Sequence, residues 1–96
     1  MALFSYSKFK VRIDPQSKKS QGLQAGDIVR RQYRDGDSII YSLMAVLETG
    51  IDILYDQNNQ EQKSPYFIGA LLEGDEPKSG ELLDFVRVTN LFNSDR

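Results

Sequence analysis

The sequence contains no cysteine, no histidine and no tryptophan. Without cysteine there is no disulfide, no thiolate nucleophile and no Cys-ligated zinc, and the chain carries no mark of its redox compartment. Without histidine as well, nucleophilic catalysis of the Ser-His-Asp or Cys-His kind has no base. Long apolar runs are missing too. The longest, Ile39 to Leu47, is nine residues interrupted by Ser42, far short of the roughly 20 that a membrane-spanning helix needs. Met1-Ala2-Leu3-Phe4-Ser5-Tyr6 has neither a basic leader nor an extended apolar core, so no secretory signal is read there. Neither Gly-x-x-x-x-Gly-Lys nor Gly-x-Gly-x-x-Gly occurs, which leaves no phosphate cradle.

Carboxylates are plentiful. Glycoside cleavage, however, needs a cleft that holds a sugar between two of them, and 96 residues leave little room for one. Asp35-Gly36-Asp37 and Glu73-Gly74-Asp75-Glu76 set oxygen ligands beside glycine. Neither follows the EF-hand spacing, and acids beside glycine are the ordinary make-up of turns. The expectation is a protein that is not an enzyme, with no catalytic residue, no metal ligand set and no cofactor.

What is present is β pattern. Lys8, Lys10 and Arg12 alternate with Phe9, Val11 and Ile13, as in a half-buried strand. Asp14-Pro15 ends it, and the polar run Gln16 to Gly22 is a loop. Ala25-Gly26-Asp27 turns into a second strand, Ile28 to Tyr33, and Asp35-Gly36 marks a hairpin to a third, Ser38 to Glu48. Leu43 to Glu48 would also suit a helix, but only about one turn remains before Thr49-Gly50, so strand is preferred. Ile51 to Tyr55 alternates again and is expected to pair with what precedes Gly50. Asp56 to Ser64 has no apolar residue and reads as a solvent loop. Pro65 opens a fifth strand, Tyr66 to Glu73. After the turn-rich Gly74 to Gly80, Glu81 to Phe92 favours strand, with a helix as the alternative. Tyr41-x-x-x-Ala45-Val46-Leu47-Glu48 is echoed by Tyr66-x-x-x-Ala70-Leu71-Leu72-Glu73, but two copies do not make a repeat architecture. The fold expected is all-β, a small barrel of five or six strands, SH3-like first and OB-like second. A single domain spans residues 1–92, and 93–96 reads as a polar tail or the start of a linker.

Net charge is −2, but it is unevenly divided. Residues 1–34 carry eight Lys/Arg against two acids, whereas residues 35–96 carry four against twelve, giving +6 and −8. Such asymmetry marks a basic face for nucleic acid or an acidic partner, or else charges that compensate across strands of one barrel. Arg30, Arg31 and Arg34 around Tyr33, with Lys8, Lys10 and Arg12, could bind single-stranded nucleic acid by charge and stacking. Against this, the pI is about 5.0, and neighbouring residues Arg30 and Arg31 on a strand point to opposite faces.

The blocks Gly26 to Tyr33 and Gly80 to Phe92 resemble the N-terminal region of uncharacterised, virion-structural proteins of phages and prophages of gut bacteria. The resemblance covers residues 22–96. It implies a structural tail or attachment module within a larger assembly, located in the virion. Without it, the expected location is the cytoplasm. The function expected is a non-enzymatic assembly module that acts through protein–protein contacts, with a small nucleic-acid-binding barrel as the alternative. The expected partner is protein, either a second copy in a homo-oligomer or a neighbouring component, and no membrane. Lys8, Lys10 and Arg12 on a first strand with an uncovered edge would meet Glu73, Asp75, Glu76, Glu81 and Asp84 of the next copy. Arg30, Arg31, Tyr33 and Arg34 complete the interface candidates.

Overall fold

The alternation at the start of the chain decides the first element. The computed structural model describes residues 6–18, 20–78 and 82–92, and it turns Phe9, Val11 and Ile13 inward on β1 (Lys8–Ile13). β2 (Asp27–Asp35) and β3 (Ser38–Tyr55) are joined by the two-residue loop Gly36-Asp37, with Gly36 at φ 64°. That sign of φ is what a hairpin turn matching the sheet twist requires at its first central residue, and glycine adopts it without strain. β4 (Glu61–Gly74), β5 (Leu82–Leu83) and β6 (Val86–Asn90) follow. Among the described residues there is no helix, so none long and apolar enough to cross a membrane.

All six strands of the described residues belong to one sheet, ordered β5-β1-β4-β3-β2-β6 and antiparallel except for β5 beside β1. β5 and β6 lie at opposite ends of this order, yet only Asp84 and Phe85 separate them in the chain. Six strands laid flat would hold their edges about 24 Å apart, whereas this short connection spans about 10 Å at full stretch. The sheet is therefore rolled. Bulges ease the bending: Leu72, Leu47 and Val88 are the extra residues where the β3–β4 and β2–β6 registers shift. The expected small barrel of five or six strands is thus a rolled six-stranded sheet, its ladder open between β5 and β6.

Inside the roll lie Val11, Ile13, Val29, Met44, Val46, Phe67 and Phe85. Phe67 and Phe85 meet edge to face at 5.4 Å between centroids, the geometry the ring quadrupoles favour. Phe85 comes from the connection that spans the two sheet edges. Ser20 holds it there, donating to the Phe85 carbonyl and accepting from its N–H, each at 2.9 Å.

Four sequence expectations change. Glu61 to Ser64 are not loop but strand, because Asp52 to Tyr55 supply their ladder partners. Ile51 to Tyr55 therefore pair with residues 61–65 rather than with what precedes Gly50, and β3 runs through Gly50 unbroken. Tyr66 lies across that glycine so closely that an added Cβ would sit 2.5 Å from its hydroxyl oxygen. Pro65 falls within β4 rather than at its start, just past the end of the β1 ladder, where a missing N–H is tolerated. Residues 82–90 form two short strands, because Phe85 turns into the core between them.

Candidate docking surface

Of the basic candidates on β1, Lys8 is exposed and Arg12 half-buried. Lys10 is engaged within its own chain. Its Nζ lies 2.6 Å from Asp52 Oδ2 and 4.3 Å from the centre of the Tyr66 ring. The uncovered edge expected for β1 holds only in part: Arg12 and Ile13 pair with Leu82 and Leu83, while among the described residues Lys8 to Val11 have no strand on that side. On β2, Arg30 and Arg31 do face opposite ways. Arg30 and Arg34 are exposed, but Arg31 is 4% exposed, so it is framework rather than partner-facing surface. Its Nε donates to Ser42 at 2.9 Å, and its guanidinium lies 5.6 Å from the exposed ring of Tyr33.

The acidic candidates are dispersed. Glu73 and Glu76 are exposed, and the Glu76 carbonyl accepts from Arg31 at 3.4 Å. Asp75 is tied to β3: its carboxylate accepts from the Tyr41 N–H at 2.9 Å, and its carbonyl accepts from the Ser42 hydroxyl. Asp84 lies elsewhere, accepting from the Ser17 hydroxyl beside Ser20. Glu81 lies outside the described residues. No single acidic edge gathers Glu73, Asp75, Glu76 and Asp84.

A stretch of exposed apolar side chains is in another place. β2 pairs with β3 only as far as Ala45, and β1 pairs with β4 only from Tyr66 onward. Beyond those limits, among the described residues, 51–55 and 61–65 have strand partners only in each other and form a two-stranded arm, closed by a loop in which Asp56 Oδ1 accepts from the N–H groups of Asn58 and Gln60. The arm accounts for a molecule 51 Å long by 36 and 31 Å, with a radius of gyration of 14.5 Å, against about 12.5 Å for a compact chain of this length. Opposite residues share a face, so Ile51, Ile53 and Tyr55 lie together, beside Pro65, Lys63 and Glu61. Two residues back on the same face is Thr49, opposite the core residue Phe67. The core face of β3 thus continues past the core, and there Ile51 is 59%, Ile53 45% and Tyr55 65% exposed.

Against the root of the arm is a cavity of about 400 Å³, between Leu23 and Pro15 of the 14–23 loop on one side and Thr49, Ile51, Pro65 and Tyr66 on the other. Its lining is mostly apolar, and the apolar stripe of the arm runs out of it.

No family model, no curated protein and no solved structure matches this chain. The surface is therefore read from its own chemistry. Reading the sequence missed Ile51, Ile53 and Leu54, because Ile-Asp-Ile-Leu-Tyr has the alternation of a half-buried strand. The signal that was available is the wholly polar Asp56 to Ser64, which can offer a pairing strand no apolar cover.

Proposed function

We propose that this domain is a non-enzymatic assembly module whose arm docks on protein, in the setting of a phage or prophage virion where the resemblance would place it as a tail or attachment component. The observation that carries this reading is the arm itself. An isolated two-stranded hairpin is marginal in water, and this one spends three large apolar side chains on a face that no strand of the described residues covers. Apolar surface presented contiguously beyond a core is the signature of a contact site. The rim supports specificity: Lys63 and Glu61 flank the stripe with opposite charges.

A photo-crosslinking residue at position 53, introduced in the cell or virion that makes this protein, should yield a discrete protein adduct that the same probe at exposed Gln32 does not. Absence of any adduct at position 53 would overturn the reading. Binding to a mixed-sequence single strand that weakens steeply with salt would instead favour the nucleic-acid alternative through Arg30, Arg34 and Tyr33.

A further inference from the structure

The arm also has a lightly guarded backbone edge. In an antiparallel ladder, residues whose N–H and C=O face the partner alternate with residues whose groups face away. Pro65 has no N–H, which marks its pair with Ile51 as one of the latter. The alternation is anchored independently, since the Asp56 N–H donates to the Gln60 carbonyl at 3.0 Å, as the pair three steps beyond Asp52 and Ser64 should not and the pair four steps beyond should. The backbone groups of Thr49, Ile51, Ile53 and Tyr55 therefore point away from β4. Among the described residues β3 has no strand neighbour on that side after Ala45.

Natural edges are protected by lysine, proline, bulges or inward charges. The β4 edge of the arm has Lys63 and Pro65. The β3 edge, Glu48 to Tyr55, has neither, and its guards are Glu48 and Asp52 alone. Asp52 is paired with Lys10, which weakens it as a guard without removing its charge.

We infer that this edge pairs with the same edge of a second copy, antiparallel about a twofold axis at Ile51. This inference rests on the assembly reading and names a partner for the arm's edge, leaving its apolar face for a neighbour. Charge disfavours the two adjacent registers. An axis at Asp52 sets Asp52 against its own copy, and an axis at Gly50 sets Asp52 against Glu48, both repulsive. With the axis at Ile51, Asp52 meets Gly50 and Glu48 meets Leu54, so no like charges are opposed. The same register puts Ile51 against Ile51 and Ile53 against Thr49, which are the residues whose backbone groups point outward. β-Branched residues so placed form favourable cross-strand pairs. The cavity adjoins this edge at Thr49, Gly50 and Ile51, with Gly22 and Leu23 across it. The product is a sheet continuous across two copies, an isologous and closed dimer.

The test is sedimentation of the full chain from roughly 1 μM to 1 mM, the range in which a small interface dissociates. Wild type should show a monomer–dimer equilibrium. Ile51→Lys and Ile51→Glu, at a position 59% exposed, should each be monomeric, with dissociation constants raised at least about 10-fold, a change of 1.4 kcal/mol. Mixed in equal amounts, they should form a heterodimer, because the two substituted positions face one another across the axis. Circular dichroism of each variant checks that it is folded. A wild type monomeric throughout overturns the inference, and if the position-53 adduct then contains a different protein the assembly reading survives. A dimer that Ile51→Lys and Ile51→Glu leave intact, or a mixture that stays monomeric, overturns the edge and its register.

Discussion

In the body, β3 turns Ser42, Met44 and Val46 inward, and Phe67 and Phe85 close the space over them. A few residues on, the same face of the same strand carries Ile51, Ile53 and Tyr55 with no strand of the described residues against it. The two regions share strands, ladder and even apolar content, and differ in whether a second layer exists. In the body the roll of the sheet supplies that layer, because β5 and β6 are brought together by Asp84-Phe85. The arm lies beyond the reach of β1 and β2, so neither of them supplies that layer. The difference teaches that hydrophobic pattern specifies a face to be covered, while topology decides whether the chain itself covers it.

The largest effect should come from removing what closes the body. Phe85→Ala empties a site that is 1% exposed and takes away the edge-to-face contact with Phe67. A buried Phe→Ala change costs about 3–5 kcal/mol, a large share of the stability of a domain this size. Tyr55→Ala in the arm should stay within about 0.5 kcal/mol. Urea denaturation at low chain concentration, where dimer adds nothing by mass action, gives both numbers. Comparable losses at the two positions would break the distinction between body and arm.

A middle effect belongs to the polar pin where β2 begins. Asp27 is fully buried, accepting from the Gln24 N–H at 2.8 Å and from Asn90 Nδ2 at 2.7 Å. Asp27→Asn forces an amide donor against one of those donors, and a buried mismatch of this kind costs about 1–3 kcal/mol. Combining it with Asn90→Asp exchanges donor and acceptor across the pair and should recover part of the loss in a melting experiment. Full additivity of the two losses would show that the bond contributes nothing.

Much of the body was legible beforehand. The alternation of Lys8 to Ile13, the turn at Asp27 and the glycine at position 36 each act locally, so sequence carries them. Strand parity put Arg30 and Arg31 on opposite faces but could not say which was inside. That answer depends on Ser42 across the ladder and on Glu76 folding back over the end of the roll. The split of residues 82–90 was hidden for a similar reason, since Phe85 turns inward only because Phe67 and Ser20 are there to receive it. The arm was the least legible part. Glu61 to Ser64 are a strand through their partners and not through their own character. The exposure of Ile51 to Tyr55 follows from where β1 and β2 stop.

The smallest effect tests the one ion pair, among the described residues, that ties arm to body. Lys10 and Asp52 are partly exposed, so their coupling should be about 0.2–1 kcal/mol and should shrink as salt is added. A double-mutant cycle of Lys10→Ala and Asp52→Ala, read by urea denaturation at low and high salt, measures it; zero coupling at low salt would remove the pair from the account. The same pair has a second consequence at the arm's edge. With the twofold axis at Ile51, Asp52 of each copy lies diagonally from its counterpart, two residues apart along the paired strands, a separation of about 7–8 Å. Lys10 balances each of these carboxylates. Lys10→Ala should therefore weaken the dimer more at low salt than at high salt. Asp52→Asn should do the reverse and tighten it slightly. Sedimentation of the two variants at two ionic strengths separates these directions. Equal and salt-independent shifts would mean that the pair stiffens the arm without guarding its edge.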